Sequence, residues 1–156
     1  MRGVRPCQVF GSGVESVREE MKLSMLRLIS GAREHIWIQS PYFIPSESII
    51  EALQVALASG VEVWIMLPGR RSSFFQEPTT NYYVDRLLPY GARVFLYDGY
   101  LHAKTIAIDE DITAIGSVNM DIRSLEVDDE VQAVFYGENF SERHKEVFRA
   151  DLEHCT

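Results

Sequence analysis

Cysteine is scarce in this chain: Cys7 and Cys155 stand near opposite ends of 156 residues, in no C-x-x-C or Cys/His spacing. That usage excludes a disulfide scaffold and a thiolate metal site and implies reduced thiols. Long apolar runs are missing as well. The strongest covers 63–67, far short of the ~18 residues that cross a bilayer. Arg2 and Arg5 lead into Gly11-Ser12-Gly13 rather than an apolar core, so no signal-peptide pattern is present and the chain as written reads as soluble. Basic charge is also in deficit. Lys and Arg total 15 against 23 Asp and Glu, a net charge of −8 with a pI near 5.0. Binding to DNA or RNA leaves a basic footprint, so this balance argues against a nucleic-acid partner.

The 46% apolar and 24% charged fractions are those of a globular protein, and the length suits one domain over 1–156 that buries about two-thirds of its unfolded surface. No repeat or low-complexity segment interrupts it. Alternation and turn residues predict strands at 8–10, 35–39, 61–67 and 93–97, with helices over 15–29, from a cap at Ser46 to Gly60, and over 81–88. Residues 70–80 read as a loop carrying the basic pair Arg70 and Arg71. Strands separated by helices imply parallel βαβ units in this first part. The pattern then changes to strands at 102–108 and 112–116, joined by Asp109-Glu110-Asp111 as a hairpin. A strand at 131–136 and a helix over 139–153 close the chain. The expected fold is a three-layer α/β/α domain with a mixed sheet whose first strands are parallel.

The most informative stretch is 101–124. It holds His102, Lys104 and Asp109 as H-x-K-x-x-x-x-D, then Gly116, Ser117 and Asn119 as G-S-x-N. On a strand, residues two apart point to the same face, so an imidazole and an ammonium would project together. Transfer at a phosphodiester needs a nucleophile, a proton donor for the leaving oxygen, and positive charge around the phosphoryl oxygens. Histidine serves either of the first two roles; Lys104 supplies the third, with a hydrogen bond from the Asn119 amide. Nothing has divalent-metal spacing, so neither metal nor cofactor is expected. Asp109 lies an odd number of residues from Lys104 and reads as a scaffold residue of the motif. His35, His144 and His154 lack this context and read as structural.

Together, His102, Lys104, Asp109, Gly116, Ser117 and Asn119 resemble the HKD signature of the phospholipase D superfamily. Residues 39–53 (QSPYFIPSESIIEAL), 59–70 (SGVEVWIMLPGR), 99–105 (GYLHAKT) and 116–124 (GSVNMDIRS) are similar, in order, to the C-terminal half of bacterial cardiolipin synthases. The resemblance implies a phospholipase D-like domain carrying one of the two HKD motifs that build a single site about a pseudo-twofold axis. It implies a catalytic set of His102, Lys104, Asp109, Asn119 and Glu130, with Ser117, Lys104 and Asn119 toward substrate. Glu130 would hydrogen-bond a histidine across the axis, and Tyr42 and Phe43 would lie near the site mouth. The implied partners are phosphatidylglycerol, a second HKD half or a second copy of this chain, and a bacterial cytoplasmic membrane reached through an N-terminal region of the full-length relatives. The implied reaction passes through a phosphohistidine to cardiolipin and glycerol; a pair of single-motif copies acting as a phosphodiesterase or nuclease is the alternative, and a non-enzymatic module a third. One departure stands out: Leu125-Glu126-Val127-Asp128-Asp129 is more acidic than the stretch preceding Glu130 in those relatives. Asp121 and Arg123, within an N-x-D-x-R-S pattern, are expected to organise the turn.

Overall fold

In the computed structural model, which describes residues 6–13, 19–69 and 77–156, the chain begins with strand β1 (Cys7–Ser12) and helix α1 (Glu20–Gly31). Strand β2 (His35–Gln39), the short β3 (Phe43–Ile44), helix α2 (Glu47–Ala58), β4 (Glu62–Pro68), α3 (Glu77–Asp85) and β5 (Arg93–Tyr97) follow. Then come β6 (Thr105–Ile108), β7 (Ile112–Gly116), the two-residue β8 (Met120–Asp121), the five-residue α4 (Ile122–Glu126), β9 (Glu130–Tyr136) and α5 (Glu138–Leu152).

Seven strands form one sheet in the order β1-β9-β7-β6-β2-β4-β5. The pairs β2–β4 and β4–β5 are parallel, and every pair from β2–β6 outward to β1 is antiparallel. The parallel side follows from helical crossovers between strands that are mostly apolar, with helices on both faces of the sheet. All five residues of β2 are buried. Helices α1 and α2 cover one face, where Met21, Met25, Ile29, Ile49, Ile50 and Leu53 meet Ile36, Ile38 and Ile65. Helix α5 covers the other, its Phe148 packing with Trp37, Met66, Leu101 and Ala107. Trp37 and Trp64 stack beneath it at 4.7 Å. This is the three-layer mixed architecture read from the sequence.

Local signals explain most boundaries. Ser46 is the residue before α2, and Gly60, at φ 90°, turns the chain out of that helix in a conformation a side chain would strain. Two expectations need correction. The third helix runs over Glu77–Asp85 rather than 81–88: Pro78 is tolerated in a first helical turn, and Pro89 disfavours a helical residue before it, leaving 88–90 as a 3-10 turn. The rest of the expected loop, with Arg70 and Arg71, lies outside the described residues, as does the expected start of the first helix at 15.

The second correction bears on the site. Strand β6 starts at Thr105, so His102 and Lys104 precede it. Continuing the β2–β6 register from Gln39↔Thr105 would set Ala103 opposite Pro41, which has no N–H to give. The ladder stops there, and the strand alternation invoked for His102 and Lys104 has no strand to act on.

The hairpin turn between β6 and β7 is held from outside. Asp109 adopts φ 50°, and its carboxylate accepts the backbone N–H groups of Arg33 (3.0 Å), Glu34 (2.8 Å) and His35 (3.0 Å). One side chain thus locks the β6–β7 turn to the start of β2. The adjacent Glu110 accepts from Lys145 Nζ at 2.6 Å, an ammonium only 1% exposed on α5. Asp109→Ala leaves three backbone donors without their acceptor and places alanine in a left-handed conformation. We expect a loss of roughly 2–4 kcal/mol in urea unfolding, with Asp109→Asn recovering part of it; a midpoint unchanged in the alanine variant would contradict this account.

Candidate active site

The motif residues gather at the end of the sheet where β2 finishes and β6 begins. His102 is exposed and lies in the irregular run 101–104. Lys104 is half-buried, and its Nζ donates to the His102 carbonyl oxygen at 2.9 Å. That bond uses one of three ammonium N–H groups and leaves two for a phosphoryl oxygen. Burial pulls the Lys104 ammonium below its usual lysine range, while the carboxylates of Glu130 and Asp121 act in the opposite direction. The site therefore holds a lysine with two carboxylates in electrostatic reach.

Gly116 and Ser117 bring β9 to this point. The Gly116 N–H donates to the Lys104 carbonyl at 3.3 Å, and the Ser117 N–H to the Val131 carbonyl at 2.9 Å. In return the Val131 N–H finds the Ser117 hydroxyl at 3.0 Å instead of a main-chain carbonyl. That hydroxyl donates to the Glu130 carboxylate. Ser117 thus replaces one rung of the ladder and orients the carboxylate facing Lys104. The hydroxyl expected to face substrate thus also holds the Glu130 carboxylate.

Asn119 sits beyond the end of β7, where β8 pairs in parallel with β3. Its amide nitrogen donates to Ser124 Oγ at 3.2 Å, and its amide oxygen is buried without a hydrogen-bond partner. The same turn is closed by Asp121, whose carboxylate caps α4 by accepting the Ser124 N–H at 3.0 Å. Arg123 pairs with Asp128 at 3.3 Å. Asp121 and Arg123 therefore do organise this turn.

Asp109 stands apart from the others. It occupies the opposite end of β6 from Thr105, tied to the start of β2, so the structure does not bring it to His102. Phe43 is fully buried in the core, and Tyr42 is half-buried; the expected apolar site mouth is to that extent core packing.

Several polar residues beside Lys104 escaped the sequence reading. Gln39, Ser40, Thr105 and Gln132 join Lys104 around a cavity of about 10 Å³, room for about one water molecule. The Gln39 amide is held between the Thr105 hydroxyl (3.1 Å) and the Asp151 carboxylate (2.8 Å). The Gln132 amide oxygen is buried without a partner, and Ser40 receives the Met120 N–H at 3.0 Å. The available signal was an amide or hydroxyl at an inward position of an otherwise apolar strand.

No cluster of three metal-ligand side chains forms at this end among the described residues. One does at the opposite end of β2, where Glu34, His35 and Glu110 bring ligand atoms within 4.8 Å of one another, but there Lys145 already occupies the Glu110 carboxylate. His144, the third histidine, is half-buried on α5, and burial lowers its pKa.

A mixed α/β/α sheet that presents His-x-Lys and Gly-Ser-x-Asn at one end defines a phospholipase D-type domain. The fold of Nuc, a phospholipase D family member from Salmonella typhimurium, superposes with a TM-score of 0.81 over 98% of this chain and 97% of that one, at 20% identity. Phosphatidylserine synthase from Haemophilus influenzae superposes with a TM-score of 0.79 at 16% identity, this chain covering 40% of its length. Residues 25–152 match the family described as cardiolipin synthase, PLD-like domain, and the chain belongs to it. A cardiolipin synthase of Clostridium perfringens is 41% identical over 150 residues, 96% of this chain. The chain spans 32% of the length of that relative. Among the described residues no helix is long and apolar enough to cross a membrane.

Proposed function

We propose that this domain supplies one half-site of a phosphatidyltransferase of the cardiolipin synthase type, corresponding to the second of two HKD halves in one chain. The observation that carries the reading is the 41% identity to a cardiolipin synthase across nearly the whole chain, together with an exposed His102 beside a lysine and a buttressed carboxylate. A single histidine cannot both attack phosphorus and protonate the leaving oxygen in one step. A second imidazole therefore comes from another HKD half.

In the first step one histidine nitrogen bonds to the phosphorus of phosphatidylglycerol. The phosphorus–oxygen bond to the headgroup glycerol breaks, and the other histidine gives that oxygen its proton. In the second step the hydroxyl of another phosphatidylglycerol attacks the phosphohistidine, its proton passing to the histidine that acted as acid. The nitrogen–phosphorus bond breaks, leaving cardiolipin and glycerol. His102 takes either role, Lys104 balances charge on the phosphoryl oxygens, and Glu130 fixes an imidazole tautomer by accepting its N–H.

The second reading is a pair of identical copies acting as a phosphodiesterase. It draws on the fact that the same fold makes up 97% of the Nuc chain, so a domain of this size stands as a whole chain there. The acidic charge balance disfavours nucleic acid as its substrate.

Incubating the chain with phosphatidylglycerol labelled at phosphorus, followed by a denaturing quench at mildly alkaline pH, tests the proposal. We expect an acid-labile, base-stable phosphohistidine that turns over only when a second HKD half or a second copy is present, the mass being followed by sedimentation. Rapid turnover by a strict monomer would refute the half-site arrangement.

A further inference from the structure

The run that carries His102 is fixed by little backbone pairing of its own. Leu101, 6% exposed, anchors it against Trp37, Met66 and Phe148, and the Lys104 ammonium grips the His102 carbonyl. Both contacts hold backbone or a neighbouring residue, and neither touches the imidazole. The imidazole meets Tyr100 instead. The two rings stack with centroids 5.7 Å apart and planes within 16°. Because Leu101 is buried between them, Tyr100 and His102 project from the same side of an extended segment. Tyr100 is 69% exposed, so packing into the core does not account for an aromatic ring at this position. A surface histidine on an irregular segment rotates freely about its side-chain torsions unless something covers one face of its ring.

We propose that Tyr100 is a positioning residue for His102, its stacked ring confining the imidazole to one orientation and leaving the ring edge with its nitrogens open to phosphorus. The consequence for the reaction rests on the phosphoryl-transfer reading above; the stack itself does not. In a site without a strand ladder to aim the imidazole, the aromatic face does the aiming.

The test has two independent readouts on the full chain. First, the Hδ2 and Hε1 resonances of the His102 ring are followed by NMR. In the unsubstituted chain and in Tyr100→Phe they sit upfield of their free-histidine positions through the ring current; in Tyr100→Ala and Tyr100→Leu they return to those positions. Second, labelling from phosphatidylglycerol slows about 10-fold in Tyr100→Ala, the scale expected for a misaimed reacting group, with KM changed less than about twofold and the rate recovered by Tyr100→Phe. Identical ring resonances in Tyr100→Ala and the unsubstituted chain overturn the proposal. So does a raised KM at unchanged rate, which makes Tyr100 a lipid contact. If the resonances respond as expected while no chain takes up label, the phosphoryl-transfer reading fails and the stacking assignment stands.

Discussion

His102→Ala is expected to take up no phosphate from labelled phosphatidylglycerol and to lower transfer by at least about 1,000-fold, as removal of a nucleophile or its acid–base partner does elsewhere. The same substitution should shift the free energy of unfolding by no more than about 1–2 kcal/mol. The asymmetry follows from position. The imidazole is exposed, stacks on the Tyr100 ring, and belongs to no strand, so the fold has little invested in it. A chain in which alanine at 102 leaves the labelling rate intact has its chemistry elsewhere, and the half-site account is then wrong. A chain that loses both label and fold would show instead that the imidazole is structural. Urea unfolding and quantitative label uptake on one preparation separate these outcomes.

Gly116→Ala is expected to show the reverse asymmetry in its origin: a change with no chemistry of its own that removes the site by moving its frame. A Cβ on Gly116 would drive into the Val131 carbonyl oxygen and come within 2.8 Å of the Gln132 Cα. These are main-chain atoms of β9 at the last pair of its ladder with β7, held on their other side by β1, and they cannot rotate aside. Strands β7 and β9 must separate at their paired ends, with Ser117, Val131 and Glu130 losing their mutual hydrogen bonds. We expect a loss of roughly 2–4 kcal/mol and a fall in labelling of about 100-fold, the scale for displacing reacting groups by about 1 Å. Hydrogen exchange should quicken at the Ser117 and Val131 amides before it does at β2. An unchanged urea midpoint would mean that the two strands do not approach as closely as described.

How much of this was legible beforehand depends on where each signal resides. Strands β2, β5 and β7 coincide with the segments expected from alternation, because each is bounded within its own sequence by turn residues or a helix end. Strand β6 does not, since its start is set by Pro41, just past the end of β2 and far away in the sequence. The pairing of β3 with β8 and the short helix α4 also went unread; each is too brief to carry a period. Asp109 shows the same division. Its place in the β6–β7 turn was signalled by the acidic run 109–111, but its three backbone partners at 33–35 come from a different element.

The chain by itself determined which groups are present and how far apart they stand along the backbone: one His-x-Lys, one Gly-Ser-x-Asn, an acidic residue opening the last strand, and apolar periods sufficient for an α/β/α domain. Those are properties of local order, where spacing and polarity act between near neighbours. Only the tertiary structure decided that Ser117 holds Glu130, that Lys104 is drawn below its usual range while facing two carboxylates, and that the imidazole leans on Tyr100. Such relations depend on strand register and on which backbone can approach which. Both are set by packing between segments far apart in the chain.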